Sequence, residues 1–353
     1  MPKAFDLADV LDIPDLPKYL KEVEVCMDTS LGGEQSELTN AVLRLTKAHG
    51  KRLRPSLVIA SALIFNEEIT TSVIKCAAAV ELIHIGSLIH DDIIDESSTR
   101  WNIPTINTLE GLNYAILGGD FLFAKACKLA AEVNQSAGIL AAETIAQLCR
   151  GQSAELAVQY NSARTEDQME RALYGKTAAL MAAACVLGGI CTNQTEDQLR
   201  SLSNFGNDFG MSFQLVDDVL DFISTEKLMG KPVGNDIKEG IYALPLILSL
   251  ESSERDFVEK ELAKKNGPHD ALIKLLLENG TIDKTLAKAK EYDRIGKQAL
   301  VKLFGKNSQA LAQLPSHYFN WALSNLVAPE YKHKIAVADE LIDDRKESLR
   351  RVL

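Results

Sequence analysis

Residues 116–160 read ILGGDFLFAKACKLAAEVNQSAGILAAETIAQLCRGQSAELAVQY, and this stretch decides the fold. It is rich in Ala, Leu, Glu, Gln and Lys, all good helix formers, and it contains no proline. The composition predicts long, Ala-rich helix from Ile116 to Tyr160, with few natural stops. The same character extends outward, because no proline occurs between Pro104 and Pro232. The period-two alternation that a half-buried strand requires is hard to find. The fold class is all-α.

Loop signals fall at residues 31–33, 102–104, 230–234, 265–268, 279–280 and 305–308. None is long enough to link two domains, so residues 1–353 are expected to form one large helical bundle. Residues 1–35 form an N-terminal helical segment and a candidate dimer contact. A hydrophobic fraction of 46% with 25% charged residues excludes wholesale disorder. The 49 acids against 38 bases, a net charge of −11, argue against a nucleic-acid partner.

Cys26, Cys76, Cys127, Cys149, Cys185 and Cys191 form no C-x-x-C pair. Buried, reduced thiols in a cytoplasmic protein are expected rather than disulfides or zinc ligands. The N-terminus carries early acids and prolines where a signal peptide needs an apolar core. The longest uncharged stretch, Thr177–Thr195, has an apolar part of 14 residues, Ala178–Cys191. That is short for a bilayer and typical of a core helix, so no transmembrane segment is expected.

Two strings echo each other, Asp91-Asp92-Ile93-Ile94-Asp95 and Asp217-Asp218-Val219-Leu220-Asp221. Each sets carboxylates at i, i+1 and i+4, which puts them together on one helical face. That face continues back through Ser87 and His84 in the first case and Gln214 in the second. An ordinary solvated acidic face explains one such triad, since like charges at i,i+4 cost a helix only about 0.2–0.5 kcal/mol. Two matched triads inside apolar segments are different, because partly buried carboxylates without partners are costly. Hard divalent cations remove that cost and keep coordination positions open for phosphate oxygens. Six aspartates match the charge of about three magnesium ions.

Cations able to hold a polyphosphate lie nearby in sequence. Gly50-Lys51-Arg52-Leu53-Arg54-Pro55 precedes an apolar helix, Arg100 follows Asp95 by five residues, Gly175-Lys176-Thr177 opens the Ala-rich core helix, and Lys231 follows the second triad. Any one of these alone reads as an ordinary surface charge. The Gly-Lys-Thr string is no P-loop, because the glycine pattern fails and no strand precedes it.

Together these residues resemble the trans-polyprenyl diphosphate synthase family, clearly over residues 48–248. The resemblance implies a mostly helical bundle that forms homodimers, with the two aspartate motifs facing across a deep cavity. It implies condensation of isopentenyl diphosphate with an allylic diphosphate by ionisation, coupling and proton loss. By the same resemblance Asp91, Asp92, Asp95, Asp217, Asp218 and Asp221 hold magnesium on the allylic diphosphate. Arg100, Lys176 and Lys231 contact that diphosphate, while Lys51, Arg54 and His84 hold isopentenyl diphosphate. Thr177 and Gln214 turn oxygen dipoles towards the allylic cation, and the departing diphosphate acts as the base.

Two positions depart from the family pattern. Trp101 stands where members usually carry a second arginine, and Ile241 where many carry lysine. A lost charge-assisted contact is worth roughly 1.5–3 kcal/mol, about tenfold or more in affinity. The first departure bears on the second substrate. Gly86 and Ser87, just below Asp91, are small where short-chain members place aromatics, so a product longer than farnesyl diphosphate is expected. Two other readings compete. Trp101 slightly favours a terpene-cyclase-like lyase acting on one prenyl diphosphate, whereas Lys51, Arg54 and His84 oppose it. A non-catalytic subunit of a heteromeric synthase has no need of all six aspartates.

Overall fold

The computed structural model describes the chain outside residues 1–3, 33–35, 48–49, 67, 102, 231–232, 265–268, 302, 304–307 and 336–353. It is a bundle of helices. The first triad ends the helix Thr71–Ile94 and the second ends the helix Glu196–Ile223. The helix Ala179–Cys191 packs against both, so it sits between the two acid-bearing elements. Leu112–Ala131 and Leu53–Leu63 pack on the first of these, and Thr281–Leu300 on the second.

Small residues let these axes approach closely. A Cβ on Gly206 would come within 2.5 Å of the Ala182 Cα, and one on Gly210 within 2.8 Å of the Ala178 Cβ. The glycines of the second-triad helix therefore seat it on the Ala-rich helix, and packing at this density tolerates no added methyl.

The expected helix from Ile116 to Tyr160 is broken. Leu112–Ala131 ends, and Gln135–Leu156 begins under an Asn134 cap whose side chain accepts from the Ala137 amide at 2.8 Å. Asn at an N-cap satisfies amides the helix cannot, which is why composition alone overran this point. The Gly175-Lys176-Thr177 string does not open a helix either. Tyr174–Ala178 is a π turn between Glu166–Leu173 and Ala179–Cys191. A short antiparallel hairpin, Thr99–Arg100 with Ile103–Pro104, follows the first triad.

The N-terminal helix Leu16–Leu31 buries Leu16, Val23, Met27 and Leu31, and it packs on the first-triad helix of its own chain. The thiol expectation is half right: all six cysteines are free, but only Cys76 and Cys185 are buried and Cys149 is exposed. Cys149 faces outward from the Gln135–Leu156 helix, whose apolar run is not buried on all sides. Thr71–Ile94 and the run Glu166–Cys191 are long and apolar enough to cross a membrane. Yet 72% of the apolar window of each is buried inside the bundle, as in a core helix.

The entry to Leu53–Leu63 is fixed by a buried ion pair. Arg52, in the left-handed region at φ 50, pairs with Glu81 at 2.6 Å and donates to the Thr46 carbonyl at 2.8 Å. Glu24 approaches Arg52 only to 3.8 Å from a more exposed position. Removing one partner of a buried pair strands the other charge. Glu81→Ala is therefore expected to cost about 3–5 kcal/mol, whereas Glu24→Ala costs less than about 1 kcal/mol. Urea denaturation of the two variants measures the contrast.

Candidate active site

Both triads lie at helix C-termini. Asp91 and Asp92 occupy the last turn of the first helix, and Asp95 is the residue that caps it. Asp217, Asp218 and Asp221 fill the last two turns of the second. The C-terminal end of a helix carries partial negative charge, so carboxylates there are disfavoured twice, by the dipole and by one another. The surrounding residues show how that cost is met.

In the first triad, Asp92 is buried and accepts from Arg100 Nε at 2.9 Å and Nη2 at 2.6 Å. The hairpin brings Arg100 back over the helix end, and Asn107 ties it there through the Asp92 and Ser97 carbonyls. Burial, reinforced by Asp95 and Glu155, pushes the Asp91 carboxyl up to about 6 against the pull of Lys176 and Arg100. Burial raises Asp92 and Asp95 as well.

In the second triad, Thr177 Oγ1 donates to Gln214 Oε1 at 2.8 Å, and Gln214 Nε2 donates to Asp218 Oδ1 at 2.8 Å. This chain of bonds joins the π turn to the second-triad helix. Burial, with Asp217 and Glu155 nearby, still pushes Asp218 up to about 7. Asp221 accepts from the Gly234 amide at 3.0 Å and the Asp236 amide at 3.2 Å, and so pins the following loop. Lys231, in that loop, lies outside the described residues.

Lys176 stands between the triads. The π turn adds one residue to the helical turn and directs Lys176 to Glu155, which accepts at 2.6 Å. Burial opposes the ammonium, but Glu155, Asp91 and Asp95 outweigh it and raise its pKa. Glu239 completes the group. Burial and Asp95, with Asp221 and Glu155 adding, push its carboxyl up to about 7. A residue that feels Asp95 of one triad and Asp221 of the other marks where the two motifs converge.

A cavity of about 280 Å³ opens below Asp91 and Lys176, lined by Ser87, Phe123, Leu148 and Leu156 among others. Gly86 is buried beside it and seats an aromatic ring, since a Cβ there would come within 2.9 Å of Phe123 Cε1. A second, small cavity of about 50 Å³ adjoins Glu155, Lys176, Gln214, Asp218 and Ile241. A larger cavity of about 490 Å³, with Arg150, Tyr174, Asp208 and Tyr292 in its walls, meets neither triad.

The basic residues form a separate neighbourhood. Arg54 Nη1 donates to His84 Nε2 at 3.3 Å, which leaves the His84 proton on Nδ1. Burial, then Arg54, Arg100 and Arg52, hold His84 well below the usual histidine range, so the ring is neutral. Arg54 is a partly buried guanidinium whose Nε is buried without a hydrogen-bond partner, and desolvation lowers its pKa against the pull of Glu81. A desolvated N–H in that state favours an added acceptor. The Lys51 ammonium lies 4.3 Å from the centre of the Trp321 ring.

Sequence reasoning missed Glu155, Arg164, Asp236 and Glu239. Arg164 is buried and donates to the Tyr242 carbonyl at 3.0 Å, within reach of Asp218, Glu155 and Asp236. Glu155 is placed by packing: it stands one turn after Gly151, whose Cα would lie 2.5 Å from a Cβ on Gly175, a contact no sequence pattern announces. Glu239 and Arg164 had no signal either, because their positions depend on loop paths.

Among the described residues, no three acid, histidine or cysteine side chains close into a ready-made metal cage. Asp92 is turned to Arg100, Asp218 to Gln214 and Asp221 to backbone amides. The donor set nonetheless suits a hard divalent cation. It is all carboxylate oxygen, and Asp91, Asp218 and Glu239 are pushed up by burial among like charges, the condition such a cation reverses.

A family profile described as Polyprenyl synthetase matches residues 35–279. The nonaprenyl diphosphate synthase of Mycobacterium tuberculosis is 33% identical over 324 residues, which cover 91% of this chain and 94% of that protein. The heptaprenyl diphosphate synthase component 2 of Geobacillus stearothermophilus is 38% identical over 237 residues, 67% of this chain and 73% of that protein. The crystal structure of a polyprenyl synthase from Caulobacter crescentus CB15, complexed with calcium and isoprenyl diphosphate, matches with a TM-score of 0.81. It is 26% identical and covers 90% of this chain and 98% of that one. Profile, sequence and fold agree: the chain belongs to the polyprenyl synthetase family.

Proposed function

We propose that this chain is a prenyltransferase that condenses isopentenyl diphosphate with an allylic diphosphate to give a medium- or long-chain polyprenyl diphosphate. The observation that carries the reading is the meeting of two partly buried acid triads at Lys176 and Glu239, beside the separate, partly buried cation Arg54. Relatives named for nonaprenyl and heptaprenyl products support the length class. As one helical domain acting in the cytoplasm, the chain needs no partner other than its two substrates and a second copy of itself.

The six aspartates of the triads would hold about three magnesium ions, which supply charge neutralisation to the leaving diphosphate. Arg100 and Lys176 add fixed cations at the same oxygens, and the sequence offers Lys231 as a further positive charge. The allylic C–O bond breaks, leaving a carbocation that Thr177 and Gln214 face with oxygen dipoles. Lys51, Arg54 and the neutral His84 hold the isopentenyl diphosphate so that its double bond meets that cation and forms the new C–C bond. The proton then lost goes to the departed diphosphate. Phe123, Leu148 and Leu156 line an apolar cavity that keeps water from the cation. The homologue named as component 2 of a heptaprenyl synthase supports a second reading, a subunit that works with another chain.

A homodimer would cover Leu112, Ile116 and Leu117, which share one side of their helix and are all exposed. This face, rather than residues 1–35, is the better candidate, since the apolar side of Leu16–Leu31 is spent on its own bundle. Sedimentation of Leu117→Glu is expected to give a monomer where the unaltered chain gives a dimer.

Purified protein with magnesium, isopentenyl diphosphate and a set of allylic primers is expected to elongate without a second subunit. Inactivity alone, with activity restored by another chain, would establish the subunit reading. Asp91→Asn is expected to lower kcat on the order of a hundredfold or more while the circular dichroism stays the same. Magnesium must displace protons from Asp91 and Asp218, which titrate near 6 and 7 in the metal-free protein. Affinity for magnesium is therefore expected to weaken as pH falls from 8 to 6, and Asp218→Asn to flatten that slope. Chain length follows the cavity wall: Phe123→Ala lengthens the product and Ser87→Phe shortens it, as chromatography of the dephosphorylated alcohols will register.

A further inference from the structure

The cavity of about 490 Å³ that meets neither triad is walled by five elements. Arg150 comes from Gln135–Leu156, Glu170 from Glu166–Leu173, Tyr174 from the π turn, Asp208 from the second-triad helix and Tyr292 from Thr281–Leu300. Its volume is that of a small-molecule pocket. Gly151, also in the wall, is already packed backbone to backbone on the π turn that carries Lys176. A Cβ there would come within 2.3 Å of the Lys176 amide nitrogen. That side of the cavity has no room to collapse, so the space is preformed.

Most charges in the wall are already matched. Arg171 pairs with Asp167, and Lys288 pairs with Glu166 and Glu170. Glu170 Oε1 also accepts from the Tyr292 hydroxyl at 2.9 Å. Arg150 is exposed and donates to Gln147 at 2.9 Å. Asp208 is the exception. It is half-buried, and burial alone pushes its carboxyl up to about 6, with no neighbouring cation to draw it back. Its Cβ stands where Gly296 leaves room, since a Cβ on that glycine would lie 3.0 Å away, and Tyr292, one turn earlier, feels its charge. Asn207, the residue before it, lines the same cavity with an Oδ1 that is buried and has no hydrogen-bond partner. Two acceptors, neighbours in the chain, thus border the cavity with no donor supplied to either.

We propose that this cavity is a second ligand site, and that it takes a primary ammonium on an alkyl stem, whose N–H bonds go to Asp208 and the Asn207 side-chain carbonyl. An ammonium brings three donors and one positive charge, which match an unpaired carboxylate beside an unpaired amide oxygen. Met211 offers the stem an apolar surface, and Tyr174 and Tyr292 put aromatic rings in the same wall. A bare divalent cation suits the place poorly. The cavity is far larger than an ion, and Glu170 is already committed to Lys288 and Tyr292. The site stands apart from both triads, so it holds independently of the prenyltransferase reading.

Isothermal titration of the full chain with n-butylamine, 1,4-diaminobutane and tetramethylammonium, at constant ionic strength, tests the site. The two primary amines are expected to bind once per chain with Kd on the order of 1 mM, the range open to so small a molecule. Asp208→Asn should weaken them about tenfold or more with the circular dichroism unchanged, and Asn207→Leu by a smaller factor. Tetramethylammonium, which carries the charge but no N–H, should bind about tenfold more weakly than butylamine. Asp91→Asn should leave amine binding as it is.

Unchanged butylamine binding in Asp208→Asn overturns the proposal, as does a Kd weaker than about 10 mM in the unaltered chain. Loss of binding in Asp91→Asn overturns it too, because the amine then sits among the acid triads. Should Asp208→Asn fail to fold, the comparison of butylamine with tetramethylammonium on the unaltered chain carries the test, and equal affinity for the two rejects the site.

Discussion

Like charge gathered at the wrong ends of two helices is the constraint from which the rest of this structure follows. A carboxylate at a helix C-terminus opposes the dipole, and three together oppose one another. The bundle places two such groups in a partly buried setting, and each is held by a different device. Asp92 takes a guanidinium returned by the hairpin, Asp218 takes an amide from its own helix, and Asp221 takes two backbone amides from the loop that follows. Burial keeps Asp91 up near 6, because Lys176 and Arg100 pull on it, as on Asp95, only at longer range. The folded chain carries a residual electrostatic demand that its own cations leave unmet.

The packing is arranged to deliver one cation between those groups. Gly151 lets the Gln135–Leu156 helix touch the π turn at Gly175, and this contact sets Glu155 opposite Lys176. Gly206 and Gly210 bring the second-triad helix onto the same Ala-rich helix from the other side. A π turn costs regular hydrogen bonding, and such turns often mark functional positions. Here it turns Lys176 and Thr177 inward together, one to the acids and one to Gln214.

Much of this was legible because it rests on local rules. Helix-forming composition without proline announced the bundle, and i, i+1, i+4 spacing announced the triads. The break at Asn134 and the π turn at Tyr174 were not legible, because both lie inside runs whose composition favours uninterrupted helix. Glu239 and Arg164 escaped for another reason. Neither has periodic neighbours, and each reaches the site only through the path of a loop that tertiary packing sets. Gly86 shows a subtler limit. Its small size read as an opening, while the space it leaves is taken by Phe123 from a neighbouring helix.

The site separates its charges, and this separation bears on how one pocket distinguishes two diphosphates. Around Lys176 and Glu239 the surplus is acidic, so on the function proposed above an anion would bind there together with divalent cations. Around Arg54 and His84 the neighbours are basic: burial first, then Arg54, Arg100 and Arg52, hold His84 neutral, and the Arg54 Nε has no hydrogen-bond partner. On the function proposed above, an anion would bind there directly, without metal. On that proposal, the substrate that must lose its diphosphate would meet the acidic, metal-binding side, where leaving charge is stabilised most strongly. The substrate that keeps its diphosphate would meet side-chain cations alone, so its own C–O bond would not be drawn towards breaking. On this proposal, chemistry would be assigned to one substrate by where the bundle puts acids and where it puts bases.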